Sequence, residues 1–294
     1  MKMKTLLIFS LLLQPVLATE TPKKALIVVA HPDDEYYVAG TVYRMAKQLN
    51  CSVDELIITN GEGGFRYSSL AEAYYNEPLT TEAVGRKELP AIRKRESLNA
   101  GKILGIRNHY FLDQVDEKFT TDIAEGLDRL WDSRFVTEEI VDLLKGQHYQ
   151  YVFTVLPRST THGHHQAATV LATRAVRELP EGARPVLLSA DTDPAAYGAL
   201  PAFAETNVWG AEASFSFDRE FHFGFNNALS YQIVVSWMIA EHKSQGLFQT
   251  MYGKEAKEYF WVDTVDTPHA RERAEELFRK IEPSGALLTS LGAR

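Results

Sequence analysis

Residues 25–35 read Ala-Leu-Ile-Val-Val-Ala and then, without a break, His-Pro-Asp-Asp-Glu. A continuous apolar, β-branched run of this kind suits a parallel strand covered on both faces. It delivers one imidazole and three carboxyl groups to the point where the strand ends. In open parallel sheets, ligands bind in the crevice beyond the carboxyl ends of the strands. The first strand therefore sets both the expected fold and the place to look for chemistry.

Working outward, residues 35–49 read as a helix and residues 53–59 as a second strand, ending in the loop Asn60-Gly61-Glu62-Gly63-Gly64. A helix is expected from about Pro90 to Leu104, with the proline in its first turn, where no backbone donor is missed, and Gly105 as its C-cap. Residues 110–112 read as a short strand, 135–144 as a helix and 151–156 as another buried strand. A polar loop and a helix over 164–178 follow. Residues 190–225 are rich in loop signals, and helices return at 229–242 and 270–281. Strands alternating with helices predict an α/β, Rossmann-like fold, with right-handed crossovers, a mostly parallel sheet and helices on both faces. No repeat or low-complexity tract divides the chain, so residues 22–294 are expected to form a single domain.

The 294 residues, 45% apolar and 24% charged, are enough to bury a substantial core. Residues 1–18 stand apart. Lys2 and Lys4 precede an apolar run from Leu6 to Leu13, and Val16-Leu17-Ala18 offers small residues before Thr19. This is the layout of a secretory signal peptide, and it predicts a secreted or periplasmic protein. A retained anchor is the competing reading, but Gln14 and Pro15 cut the run well short of the roughly 20 residues a span needs. No stable membrane insertion is expected after cleavage. With Lys2 and Lys4 removed from 31 basic residues against 39 acidic ones, the net charge falls from −8 to about −10. An acidic chain repels phosphate backbones, which argues against a nucleic-acid partner. The basic run Arg93-Lys94-Arg95 falls in a helix and reads as a solvated face. Cys51 is the only cysteine, so no internal disulfide can form, and it reads as a buried small apolar residue.

His31 and Asp34 can converge on one point while Asp33 faces the same pocket from elsewhere. That makes half a zinc site with a spare carboxylate beside it; the plainer reading is a helix N-cap cluster, since Asp is common there. Capping explains one Asp but not the adjacent His and two further acids. His162-Gly163-His164-His165, after the strand at 151–156, supplies the complement. A third ligand from here gives His, Asp and His and leaves one coordination position open, as catalytic zinc sites do. Other hydrolase signatures are absent: there is no Gly-x-Ser-x-Gly elbow and no His-Glu-x-x-His helix. The glycines at 61, 63 and 64 lack the spacing of a dinucleotide loop.

The segments His31-Pro32-Asp33-Asp34-Glu35 and His162-x-x-His165, the latter followed by Gln166-Ala167-Ala168, resemble the two signature segments of the LmbE/PIG-L N-deacetylases. Thr59-Asn60-Gly61-Glu62, Arg93-x-x-Glu96 ahead of Leu104-Gly105, Phe111-Leu112 with Asp116, and His242-Lys243-Ser244-Gln245 resemble further family segments. The likeness spans most of residues 25–260. It implies one Zn2+, or another divalent transition ion, held by His31, Asp34 and His165. It also implies Asp33 as general base, His162 as a second catalytic imidazole, and Glu62, Arg93 and Asp116 lining a sugar pocket. Two positions depart from the pattern. Gly163 and His164 stand where the family often has Pro and Asp, and His164 cannot supply that Asp's charge. Thr160 stands where some relatives have Tyr.

The resemblance implies hydrolysis of an N-acetyl or other N-acyl group on an amino sugar or short glycan. Asp33 would accept the proton of the attacking water, and a protonated His162 would stabilise the oxyanion together with the ion. The aromatic residues Trp209, Phe215, Phe217, Phe221 and Phe223 offer either a stacking platform for sugar rings or core. Two alternatives stand: a metal-dependent deacylase or amidase on a non-sugar substrate, and a non-catalytic glycan- or metal-binding protein. The sequence leaves the oligomeric state open.

Overall fold

Strand β1 (Lys24–Val29) buries five of its six residues. Alternate side chains go to opposite faces of the sheet: Ala25, Ile27 and Val29 enter one apolar core, and Leu26, Val28 and the following Ala30 enter another. The run lacks polar alternation because both of its faces are covered. The computed structural model describes residues 23–194, 212–246, 253–263 and 267–281.

The remaining strands are β2 (Ser52–Thr59), β3 (His109–Gln114), β4 (Tyr151–Val155), β5 (Val186–Asp191), β6 (Phe215–Asp218), β7 (His222–Phe223), β8 (Leu229–Ser230) and β9 (Lys257–Val262). Seven of them form one sheet in the order β3-β2-β1-β4-β5-β9-β6, and β7 and β8 pair separately. The five strands from β3 to β5 are parallel, and β9 runs antiparallel to both β5 and β6. The helices are α1 (Ala39–Tyr43), α2 (Glu72–Tyr75), α3 (Glu82–Leu104), α4 (Ser133–Gln147), α5 (Gly163–Glu178), α6 (Tyr231–Glu241) and α7 (Ala270–Ile281). A 3-10 turn (Asp34–Val38) leads into α1 and a π turn (Arg44–Gln48) leaves it.

One core is closed by Val42 of α1, Leu104 of α3, Met238 of α6 and Phe278 of α7. The other is closed by Ile140 of α4 and Leu171 of α5. Helices thus cover both faces, as expected. The chain passes from β1 to β2 and β3 on one side, and only later returns to β4 and β5 on the other. The crevice between the carboxyl ends of β1 and β4 is therefore the topological switch point, where such sheets bind ligands.

Three expectations need correction. Helix α3 starts at Glu82, so Pro90 lies in its interior and not in its first turn. The lost hydrogen bond to the carbonyl of Arg86 is a real cost. It is offset by burial of Leu89 and Ile92 against Phe65, Ala71 and Leu79. Second, the loop-rich stretch contains β6, and the antiparallel additions β6 and β9 lie beyond the expected elements. Third, Cys51 is only partly buried, at the margin of the first core. The leader read at residues 1–18 lies outside the described residues. Among those described, no helix is long and apolar enough to cross a membrane.

Candidate metal centre

After β1 the backbone turns sharply. The N–H of His31 donates to Asp34 Oδ2 at 2.8 Å, and the N–H of Asp34 donates back to the carbonyl of His31 at 3.2 Å. Between them Asp33 adopts φ 137°, a conformation that costs a residue with a side chain on the order of 1–3 kcal/mol. Arg93 of α3 holds it there. Its Nη2 donates to the carbonyl of Pro32 at 2.6 Å and lies 3.0 Å from Asp33 Oδ2, while Nη1 donates to the carbonyl of Gly61 at 2.6 Å. One buried guanidinium therefore joins the loops that leave β1 and β2. The glycines of the second loop make room: Gly61 has φ 68°, and a Cβ on it would overlap Arg93 Nη1. A Cβ on Gly63 would come within 2.8 Å of the Asp116 carbonyl.

The loop after β4 brings in the histidines. His162 is the N-cap of α5, and its Nδ1 accepts from the N–H of His164 at 3.0 Å. That bond leaves the proton of a neutral His162 on Nε2. His165 places Nδ1 3.1 Å from Thr161 Oγ1, which leaves Nε2 to face β1. There it lies 3.1 Å from His31 Nδ1 and 3.1 Å from Asp34 Oδ1, while His31 Nδ1 is 3.4 Å from Asp34 Oδ2. Donors around a tetrahedral ion bound at about 2.0–2.2 Å stand about 3.3–3.6 Å apart. His31, Asp34 and His165 thus have the spacing, and the nitrogen and oxygen donors, that a divalent transition ion takes.

Asp116, from the loop after β3, was expected to line a sugar pocket. It borders the cavity, but its carboxylate turns toward imidazoles, 3.7 Å from His31 Nε2 and 3.4 Å from His164 Nδ1. His164 is fully buried under Trp131, with Nε2 3.7 Å from Glu125 Oε2. Asp116 and Glu125 thus flank the His164 ring with two carboxylates.

Charge in the site follows from these neighbours. Burial opposes a charge on His31, but Asp116 and Asp34 outweigh it and push its pKa up to about 10. Burial, helped by the charge of Asp34 and opposed by Arg93, raises Asp33 to about 6. Asp34 and Asp116 are held well below the usual carboxylate range, because their histidine neighbours overcome the cost of burial. Burial and the three neighbouring imidazoles lower His162 to about 2, so its neutral form is favoured.

These groups open into a cavity of about 290 Å³. His31, Asp33, Asp34, Arg93, Asp116, His162 and His165 all line it. Glu62 is buried nearby, is not among the lining residues, and has its pKa raised by burial. Arg93 reaches the cavity with both terminal nitrogens already engaged by backbone carbonyls. Of the candidate stacking aromatics, Phe215 and Phe217 are core, Phe221 and Phe223 pack against it, and Trp209 lies outside the described residues. The rings that do line the cavity are Tyr36, Tyr37, Tyr67 and Phe119. Phe119 sits edge-on to His162, with 5.1 Å between ring centres.

Sequence reasoning gave no role to His242. It lines the cavity, its Nε2 pairs with Glu35 Oε1 at 2.5 Å, and Glu35 outweighs burial to raise its pKa to about 9. Glu96 of α3 anchors the same segment by accepting from Ser244 N–H at 2.8 Å and Ser244 Oγ at 2.6 Å. The available signal was the coincidence of His242-Lys243-Ser244-Gln245 with Arg93-x-x-Glu96, two segments that lie together only in the fold.

Known proteins resemble the chain in sequence and in fold. Two probable N-acetyl-α-D-glucosaminyl L-malate deacetylases resemble the chain. The Bacillus cereus protein is 26% identical over 165 residues, covering 56% of this chain and 66% of the relative. The Bacillus anthracis protein is 30% identical over 164 residues, covering 55% and 63%. The match thus spans slightly less than two thirds of either relative. The N,N′-diacetylchitobiose deacetylase of Pyrococcus horikoshii has the same fold, with a TM-score of 0.52 at 18% identity over 84% of this chain and 87% of that one. The family described as PIG-L: GlcNAc-PI de-N-acetylase matches residues 26–176, which run from β1 through the His31 turn to α5 and its histidines, and the chain belongs to that family.

Proposed function

We propose that this protein is a metal-dependent hydrolase that removes an N-acetyl group from an amino sugar or short glycan outside the cytoplasm. The observation that carries the reading is the placement of Asp33 and His162 beside the His31, Asp34 and His165 donors in one cavity. A pure metal-binding protein has no need of the extra carboxylate or of the backbone strain at Asp33. The names of the relatives favour an acetylated sugar as substrate. The leader at residues 1–18 supports export.

His31, Asp34 and His165 would hold a divalent ion, which would supply a Lewis acid for the amide carbonyl and would make water a better nucleophile near neutral pH. Asp33, raised toward neutrality by burial, accepts the proton of the attacking water. Arg93 fixes that carboxylate through the Pro32 carbonyl and the ion pair. As the water oxygen bonds to the carbonyl carbon, negative charge develops on the carbonyl oxygen. Neutral His162 can stabilise it by donating from Nε2, because its Nδ1 is engaged by the backbone. This revises the protonated His162 of the sequence reading. The proton on Asp33 then passes to the departing nitrogen as the C–N bond breaks, giving acetate and a free amine.

The test is acetate release from N-acetylglucosamine, its short oligomers and cell-wall fragments, with N-acyl amino acids run alongside. Hydrolysis of the sugars is the expected result. Turnover of the amino acids alone assigns the protein to the non-sugar deacylases, and no acetate from any substrate defeats the enzymatic reading. For export, N-terminal analysis of protein from its native cell should find Thr19 at or near the start, and a retained Met1 in cytoplasmic protein would overturn that part.

A further inference from the structure

His31 presents two faces, and only one belongs to the metal set described above. Nδ1 faces Asp34 and His165, whereas Nε2 points the opposite way, to Asp116 and His164. On that second side, three donors form a triangle. His31 Nε2 to His164 Nδ1 is 3.3 Å, His164 Nδ1 to Asp116 Oδ1 is 3.4 Å, and Asp116 Oδ1 to His31 Nε2 is 3.7 Å.

We propose that His31, Asp116 and His164 form a second divalent-cation site, which shares the His31 ring with the first. Two contacts to Asp116 Oδ1 exceed the usual 2.7–3.2 Å of a hydrogen bond, yet all three edges lie close to the roughly 3.3–3.6 Å expected between donors on one tetrahedral ion. Among the described residues, buried Asp116 Oδ1 makes no hydrogen bond, and neither does His164 Nε2. Unmade bonds on buried polar atoms are costly, and an ion among these donors removes the cost at Asp116. Glu125, 3.7 Å behind His164 Nε2, stands where a carboxylate orients a ligating imidazole through its far nitrogen. The fully buried His164 has no other use in the reaction proposed above. Because His31, Asp116 and His162 also line the cavity, an ion has a route in.

With one ion on Nδ1 and another on Nε2, His31 gives up its ring proton to solvent and bridges the two as an imidazolate, so whichever ion enters second binds more weakly. The second site's two imidazoles and one carboxylate suit Zn2+ or a neighbouring transition ion, not Ca2+ or Mg2+.

The experiment is equilibrium dialysis of the full chain against zinc salt alone, with bound metal counted by elemental mass spectrometry. Two ions per chain, one tight and one weaker, are expected. His164→Asn and Asp116→Asn should each lose one ion and keep the one held by His31, Asp34 and His165; thermal unfolding checks that each folds, and either suffices. A single ion in the unmodified protein, or two ions retained in both variants, overturns the second site and leaves the first intact. A chain that binds no zinc defeats the metal-dependent function as well.

Discussion

Arg93 Nη2 lies 3.0 Å from Asp33 Oδ2 while donating at 2.6 Å to the carbonyl of Pro32, the residue just before that carboxylate. A single cation thus sets both the charge environment of the proposed base and the strained turn that carries it. Replacing Arg93 by Met leaves two carbonyls and a largely buried carboxylate without their partner. Removal of one member of a buried ion pair costs about 3–5 kcal/mol. A comparable fall in unfolding free energy is expected in denaturant titration, with deacetylase turnover lost as well. Arg93→Lys keeps the charge but not the fork, and should recover only part of the stability. A stable, fully active Arg93→Met protein would contradict this role.

The two neighbouring carboxylates should separate in their effects. Asp34 faces His31 and His165, and Asp33 faces Arg93. Asp34→Ala and His165→Ala are expected to lose the ion held by His31, Asp34 and His165, and turnover with it. Asp33→Asn should retain that ion while turnover falls by roughly two to four orders of magnitude, the usual contribution of a positioned general base. Metal analysis and kinetics on one preparation check both. An Asp33→Asn protein that purifies without metal reverses the assignment within the pair.

Gly61 tests the geometry of the second loop. Its φ of 68° suits glycine, and a Cβ there would overlap the guanidinium of Arg93. Gly61→Ala should destabilise the fold by about 1–2 kcal/mol from backbone strain alone, and should impair turnover because Arg93 must move. Gly146 provides the control: nothing lies within 4 Å of an added Cβ, and it sits inside helix α4. Gly146→Ala should therefore be neutral or slightly stabilising in thermal unfolding.

Local features were the legible ones. The apolar run of β1, the His31–Glu35 cluster at its end and the His162–His165 run at the start of α5 each declare themselves within a few residues, because strand burial and helix capping act locally. Contacts made across the sheet were not readable in that way. Asp116 meets His31 and His164 only after β3 is laid beside β2, so residue type alone could place it in the pocket but not against imidazoles. Arg93 sits in a basic run that gives no hint of which residue turns inward; its burial follows from α3 crossing the β1 and β2 loops. The interior Pro90 shows tertiary burial overriding a local preference. The antiparallel β9 reaches the sheet only after a long excursion, beyond the reach of the alternation that predicted the parallel strands.

Asp263, at the end of β9 and away from the proposed metal donors, makes the acid-base cost of the fold measurable. It is fully buried, and neither carboxyl oxygen makes a hydrogen bond among the described residues. Burial raises its pKa from 3.8 to about 7, with Arg177 only partly offsetting the shift. The sign follows from the difference in proton binding. Below pH 3.8 the folded and unfolded chains both keep the proton, and the residue makes no pH-dependent difference. Between pH 3.8 and about 7 the unfolded chain releases it while the folded chain retains it, so stability falls as pH rises. Above pH 7 the carboxylate is charged in both states and the full cost persists. Asp263→Asn removes the ionisation while nearly preserving shape. It should raise the unfolding temperature at pH 8, and the gain over the unmodified protein should shrink steadily toward pH 4. Thermal unfolding of both proteins across that range gives the comparison. A gain independent of pH would mean that packing or hydrogen bonding, not the buried charge, is what the substitution changes.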